Sequence, residues 1–284
     1  MIETPMNYTG SKFKLLDQLL PKFDYTKPYF IDLFTGGGSV YTNVLDKYDK
    51  IVANDVIKDL VDIHKGILES DDIISKTISL SPTKGDKESF LNLRESYNNN
   101  PTADKLWALM LSSTNNMMRF NLKFKYNQSY GNRGWNPNTD KKVDSYKNHI
   151  RNYKSKIKFL SRNFNDVKIS SNKVMFYIDP PYGRVKESDG KISKKQISEA
   201  GYNAFWKQED DINLYNYIKK INEAGSSFMV SGVLEHDGKV CWMLDKLISD
   251  GFNHSELIYD YNKVSRKGDK VTREIIITNY DIAK

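Results

Sequence analysis

Five apolar residues, Val174-Met175-Phe176-Tyr177-Ile178, run straight into Asp179-Pro180-Pro181-Tyr182. That junction constrains the fold more than any other stretch. A short unbroken apolar run suits a buried strand. Proline cannot continue a sheet ladder, and the residue before it is pushed to an extended conformation. The strand therefore stops at Asp179 and presents its carboxylate at the carboxyl end, the edge of an open α/β sheet where ligands bind. An exocyclic amine on a nucleobase is a poor nucleophile, because its lone pair is delocalised into the ring. Two acceptors on its N–H bonds, the Asp179 carboxylate and the Pro180 carbonyl, would favour a tetrahedral nitrogen. Tyr182 could stack on a base swung out of a helix. The plain alternative is a strand end, a Pro-Pro turn and a surface tyrosine.

A second junction lies near the N-terminus. Phe30-Ile31-Asp32-Leu33-Phe34 reads as a short buried strand. Thr35-Gly36-Gly37-Gly38-Ser39-Val40 follows, then a helical pattern over 41–48. Strand, glycine loop and helix make a nucleotide-cofactor arrangement, in which glycines let the backbone approach the ligand. The spacing is not G-x-G-x-x-G and no P-loop lysine follows, which disfavours dinucleotides and triphosphates. A second strand, Lys50-Ile51-Val52-Ala53, ends at Asn54-Asp55, where Asp55 is placed to bind ribose hydroxyls. Each piece alone also reads as a tight turn and a helix cap.

The chain, 284 residues with 39% hydrophobic and 28% charged, is long enough for a real core. It shows no apolar run of membrane-spanning length and no signal sequence, which points to a cytoplasmic protein. The single cysteine, Cys241, rules out an internal disulfide and a cysteine metal cluster. His64, His149, His236 and His254 show no metal-ligand spacing and read as ordinary surface or polar positions. The net charge of +7 is concentrated: 119–162 holds 12 Lys and Arg against 2 Asp, interleaved with aromatic residues. That is the footprint of a nucleic-acid surface, or, more plainly, a solvated lysine-rich face.

These motifs, with Asn7-Tyr8-Thr9-Gly10-Ser11-Lys12, 91–98, Asn116-Met117-Met118-Arg119 and 231–236 in the same order, resemble the Dam-type DNA N6-adenine methyltransferases, the T-even phage enzymes most closely. The resemblance implies transfer of a methyl group from S-adenosyl-L-methionine to adenine N6 in double-stranded DNA at GATC, by base flipping. It implies Asp179, Pro180, Pro181 and Tyr182 as catalytic residues. It places Tyr8 near the cofactor adenosine, Lys12 at the methionine carboxylate and Asp32 at its amino group. Phe34, Gly36, Gly38 and Asp179 also face the cofactor, and Phe164 and Asp166 meet the adenine ring and its amine. Thr114 and Asn115 depart from the family, which often has an aromatic and a serine there, so Phe120 becomes the candidate for intercalation. Arg133 and Arg119 carry planar forks suited to guanine edges, whereas Lys141, Lys142, Lys154 and Lys156 suit phosphates.

The expected fold class is α/β: a Rossmann-like S-adenosylmethionine-dependent methyltransferase sheet with an inserted helical plus β-hairpin target-recognition domain. The catalytic domain is expected at 1–62 and 160–284, and the recognition domain at 63–159. Helices are expected over 13–20, 56–68, 88–97, 103–113, 144–160, 212–223 and 241–249. Strands are expected over 227–231 and in a terminal hairpin of 258–264 and 271–278. The recognition hairpin is expected within 120–135, while 70–87 and 183–201 read as irregular loops. Rival functions are N4-cytosine methylation, which needs the same two acceptors, and a catalytically silent DNA-binding relative. No metal is required, and the expected oligomeric state is a monomer or weak dimer.

Overall fold

The computed structural model describes residues 1–6, 8–181, 183–197, 206–258 and 272–282. Its strands are β1 (Tyr29–Asp32), β2 (Lys50–Asn54), β3 (Ile157–Leu160), β4 (Val174–Ile178), β5 (Arg184–Lys186), β6 (Ile192–Gln196), β7 (Ser227–His236), β8 (Lys239–Val240), β9 (Asn253–Leu257) and β10 (Thr272–Thr278). Its α-helices are α1 (Leu16–Leu19), α2 (Ser39–Thr42), α3 (Lys58–Glu69), α4 (Asp72–Leu80), α5 (Lys87–Asn99), α6 (Ala103–Ser112), α7 (Pro137–Asn152), α8 (Gln208–Glu223) and α9 (Trp242–Ser249). The described residues fall into two compact units, one built from Met1–Phe13 and Thr35–Asn163, the other from Lys14–Phe34, Phe164–Ala200 and Phe205–Lys284.

The second unit holds a five-strand path β1-β4-β7-β10-β9, with β8 hairpinned onto β7. β1, β4 and β7 run parallel, while β10 is antiparallel to β7 and β9. All five residues of β4 are buried, as expected of a parallel strand covered on both faces. The Pro-Pro pair ends it at Ile178. α8 buries Leu214, Tyr217, Ile218 and Ile221, spaced for one helix face. In the first unit β2 and β3 pair in parallel, and α3 lays Leu60, Ile63, His64 and Ile67 along its buried stripe. The fold is thus α/β with mostly parallel pairing, of the Rossmann-like methyltransferase class. Among the described residues no helix is long and apolar enough to cross a membrane, and no group of three His, Cys, Asp or Glu could hold a metal ion.

Several expectations are corrected. The stretch 70–87 contains α4. The basic helix expected over 144–160 begins earlier, because the Asn136 side chain accepts from the Asn138 and Thr139 N–H groups and Pro137 occupies the first turn. It ends at Asn152, and Ile157–Leu160 is a strand instead. The recognition hairpin is irregular and begins before 120: antiparallel bridges join Ser113 with Tyr130 and Phe120 with Tyr126, and the Gly131, Thr114, Asn127 and Asn121 N–H groups donate to the Ser112, Ser129, Arg119 and Lys125 carbonyls. The loop after the Pro-Pro motif is not irregular: β5 and β6 pair antiparallel, and Ile197 is buried beyond them. The stretch 259–271, most of the expected terminal hairpin, lies outside the described residues, but β9 and β10 pair around it.

Candidate functional site

In the first unit the chain after β1 turns through Thr35–Gly38. The Thr35 N–H donates to the Asn54 carbonyl at 2.7 Å and the Gly38 N–H to the Thr35 carbonyl at 2.8 Å. Gly36 and Gly38 take φ of +49° and +80°, values that favour glycine. Tyr8 lies on this loop: a Cβ on Gly36 would meet its Cε1 at 2.8 Å, and one on Gly37 its Cβ at 2.4 Å. Asp55, at the end of β2, accepts from the Gly36 N–H at 3.0 Å through Oδ2 and from the Ile57 N–H at 3.0 Å through Oδ1. Burial raises its pKa, and these backbone donors oppose the rise. Each oxygen keeps lone-pair capacity for a hydroxyl. Lys12 opens a 3₁₀ turn, half-buried, with Nζ 3.4 Å from the Gly10 carbonyl.

In the second unit Asp32 ends β1 and is 1% exposed. Phe34 packs against Phe164 with ring centroids 5.6 Å apart and against Trp206 at 5.8 Å. Phe164 in turn touches Trp206 and Tyr217. Asp166 is exposed on the short 3₁₀ turn Phe164–Asp166. Asp179, half-buried beyond β4, accepts from the Ser231 hydroxyl at 3.0 Å. Ser231 lies 2.7 Å from the Tyr177 hydroxyl. Because the carboxylate takes the Ser231 proton, Tyr177 donates to Ser231, and the chain runs Tyr177 to Ser231 to Asp179. Burial first, and then the nearby Asp179 charge, hold the Tyr177 phenol far above its usual pKa, so it stays a donor. Pro180 and Pro181 are half-buried, and Tyr182 lies outside the described residues.

Just past the motif, Asp211 is fully buried and ties two segments. It accepts from the Arg184 N–H at 3.0 Å and from the Trp206 indole N–H at 2.9 Å. Burial pushes its pKa up to about 6 against these hydrogen bonds.

The nucleic-acid candidates divide by exposure. Arg119, Arg133, Lys141 and Lys154 are exposed, and Arg133 lies 3.4 Å from the Asn116 side-chain oxygen. Lys142 is half-buried and paired with Glu3 at 2.7 Å. Lys156 donates to the Leu45 and Tyr48 carbonyls at 3.3 and 2.9 Å. Phe120 is 7% exposed and packs on Tyr97 and Tyr126. Two exposed apolar groups sit at the tip of the following turn: Leu122 at 81% and Phe124 at 59%, the latter with φ +56°.

Sequence reasoning missed Ser231, Asp211, Trp206 and the Leu122–Phe124 tip. Of the two readings given for His64, an ordinary surface or a polar position, the second holds: it is 1% exposed and hydrogen-bonded. The spacing of His64 with Leu60, Ile63 and Ile67 was the available signal, since those positions share a helix face.

The chain is 29% identical over 296 aligned positions to "Modification methylase StsI" of Streptococcus sanguinis, an alignment that covers 99% of this chain and 43% of that protein. It is 30% identical to "Modification methylase LlaI" of Lactococcus lactis subsp. lactis over 98% of this chain and 44% of that protein. It is 28% identical to "Type II methyltransferase M.FokI" of Planomicrobium okeanokoites over 98% and 43%. The chain thus spans less than half the length of these relatives. The profile of the D12 class N6 adenine-specific DNA methyltransferases matches residues 8–262. That span takes in the glycine loop, Asp55, Asp179 and Ser231, and the chain belongs to the D12 class N6 adenine-specific DNA methyltransferase family.

Proposed function

We propose that this chain methylates the N6 amine of adenine in double-stranded DNA, using S-adenosyl-L-methionine. The observation that carries the reading is Asp179 at the carboxyl end of β4, oriented by Ser231 and followed by Pro180. The cofactor supplies an activated methyl group on a sulfonium. Asp179 accepts one N–H of the amine and the Pro180 carbonyl the other, which localises the nitrogen lone pair for attack on the methyl carbon. The methyl group would come from S-adenosyl-L-methionine, with S-adenosylhomocysteine as the second product, and the proton lost from nitrogen would pass to solvent. Tyr182 stacks on the flipped base.

The residues present fit the cofactor. A Cβ on Gly36 or Gly37 would strike Tyr8, so glycine at these positions lets Tyr8 pack directly on the loop backbone. Within the first unit Asp55 has acceptor capacity for ribose hydroxyls and Lys12 offers a cation to a carboxylate; within the second Asp32 offers an anion to an ammonium. Phe34 and Phe164 supply an aromatic face for adenine, with Asp166 for its amine.

The assignment of 1–62 and 160–284 to catalysis and 63–159 to target recognition belongs to the same proposal. Arg133 and Arg119 read base edges, and Lys141 and Lys154 hold phosphates. Phe124, exposed in a left-handed conformation, is better placed than buried Phe120 to touch DNA. GATC is the first sequence to test, on the likeness to T-even enzymes.

The deciding experiment incubates the purified chain with S-adenosyl-L-methionine and unmethylated plasmid, then digests the DNA to nucleosides. N6-methyl-2′-deoxyadenosine is the expected product. N4-methyl-2′-deoxycytidine, or no methylated nucleoside, overturns the proposal, and sequencing of the modified positions tests GATC.

A further inference from the structure

Beneath the glycine loop lies a polar network that the proposed reaction does not use. His64 on α3 places Nε2 2.9 Å from the Gly36 carbonyl oxygen. A carbonyl only accepts, so Nε2 carries the proton and Nδ1 is an acceptor. Nδ1 lies 2.6 Å from the Tyr146 hydroxyl and 3.2 Å from that of Tyr41. Tyr146 therefore donates to the imidazole, and Tyr41, in contact with the Tyr146 hydroxyl, donates to the Tyr146 oxygen. The three side chains are at most 1% exposed. Burial pushes the His64 pKa down to about 4 and raises that of Tyr146. Burial disfavours a charge on either the imidazole or the phenol, so the network is neutral near pH 7.

The loop is pressed against this network at two points. At Gly36 the contact is the hydrogen bond. At Gly38 it is steric, since a Cβ would lie 2.6 Å from His64 Cε1 and 2.7 Å from Tyr41 Cε1. Gly36 is also the residue whose N–H goes to Asp55, so its peptide groups are held on both sides. Apolar side chains of similar volume would fill the space without the desolvation of three polar groups. A fully satisfied network fixes one geometry instead. Tyr146 comes from α7, with Val143 and Ile150 on the same buried face, so its hydroxyl is held by a packed helix.

We propose that His64 is a positioning residue for cofactor binding. Its Nε2–H holds the Gly36 carbonyl, and through it the Gly36 N–H on Asp55, in the loop geometry that receives the S-adenosyl group. Tyr146 sets the tautomer that makes this donation possible. The inference rests on the reading that Gly36, Gly38 and Asp55 face the cofactor.

The test compares the parent with His64→Leu, His64→Gln and Tyr146→Phe. Calorimetry gives the affinity for S-adenosylhomocysteine, and initial rates on unmethylated duplex give KM for S-adenosyl-L-methionine and kcat. His64→Leu should raise Kd and KM about tenfold, the worth of one buried hydrogen bond, with kcat and cofactor-free DNA affinity within about threefold of the parent. His64→Gln, whose amide can offer an N–H to the same carbonyl, should recover most of the loss. Tyr146→Phe should raise KM by about threefold. A folded His64→Leu with parental Kd and KM overturns the proposal, as does a loss of kcat alone. Failure of Gln to recover what Leu loses also overturns it, since ring packing would then explain the effect. If His64→Leu does not fold, Tyr146→Phe decides, and a parental KM there overturns the proposal. A parent that binds no S-adenosyl cofactor overturns the reading of the loop itself, and the role of His64 with it.

Discussion

Removing the Ser231 hydroxyl separates stability from catalysis in a way the geometry makes quantitative. Ser231→Ala deletes the donor to Asp179 at 3.0 Å and leaves the Tyr177 hydroxyl, 2.7 Å away, without its acceptor. Tyr177 and Ser231 are 1% and 0% exposed, so no solvent replaces the lost partner. A buried hydroxyl stranded in this way costs about 1–3 kcal/mol, or about 2–5 °C in Tm for a chain of this size. Adding Tyr177→Phe removes the stranded group, and deleting both partners is close to neutral. The double variant should therefore melt near the parent, above Ser231→Ala alone. Activity should not recover, because Asp179 still lacks its donor. A hydrogen bond to a charged carboxylate contributes about 1.5–3 kcal/mol, and half of that expressed as orientation lowers kcat about fourfold to tenfold. Asp179→Ala sets the floor, with no measurable turnover and DNA affinity near the parent's. The assays are thermal melts followed by circular dichroism and single-turnover methylation of a duplex. A double variant with kcat within about twofold of the parent refutes the orienting role of Ser231. A double variant as unstable as Ser231→Ala refutes the hydrogen-bond chain itself.

Three further outcomes follow from the same coordinates. Arg133→Ala should cost roughly 1–3 kcal/mol against cognate DNA and relax one base pair, whereas Lys141→Ala should weaken all sequences alike and lower the salt slope by about one; a uniform loss for Arg133→Ala over a salt series refutes the base-reading role. Phe124→Gly relieves a left-handed φ at a cost of about 1 kcal/mol in the parent, so it should raise stability to urea while lowering DNA affinity, and unchanged DNA affinity counts against contact by the turn tip. Asp211, raised from 3.8 to about 6 by burial, binds its proton more tightly in the folded state, so its contribution is full below about pH 4 and is lost as pH rises through about 6. The urea midpoint of the parent should accordingly fall relative to that of Asp211→Asn over that window, and a constant difference refutes the assignment.

What was legible in the sequence was what punctuation and burial mark unambiguously. β4 could be read to the residue because an unbroken apolar run meets two prolines. The glycine loop and Asp55 followed from strand, loop and acid in order. α4 escaped because only Ile74 and Thr77 of its nine residues are buried, which leaves a polar stretch without a clear stripe. β3 was read as the end of a helix because a four-residue strand carrying Lys158 gives too short a period to separate from helical spacing. The β5–β6 ribbon is polar along most of its length, and its hold on the protein comes from Ile197, Arg184 and the distant Asp211. Ser231 and His64 were invisible as functional residues for a common reason: each acts through a hydrogen bond to a group remote in the chain, 52 and 28 residues away.

The two glycines that frame Arg133 bear on how such a protein changes its target over time. A Cβ on Gly131 would fall 2.4 Å from the Ser113 carbonyl oxygen, and one on Gly134 would fall 2.1 Å from that of Pro82. Here main chain is seated on main chain, and the Asn132 side chain adds a bond from the Gly85 N–H at 2.8 Å. The support of this segment therefore depends little on the side chain at position 133. If Arg133 reads a base as proposed, lineages could exchange that residue, and with it the base, without rebuilding the platform beneath it. The glycines themselves are closed to change. Sequence drift in this segment should thus alter address before it alters architecture, a division of labour that lets one scaffold serve many recognition sequences.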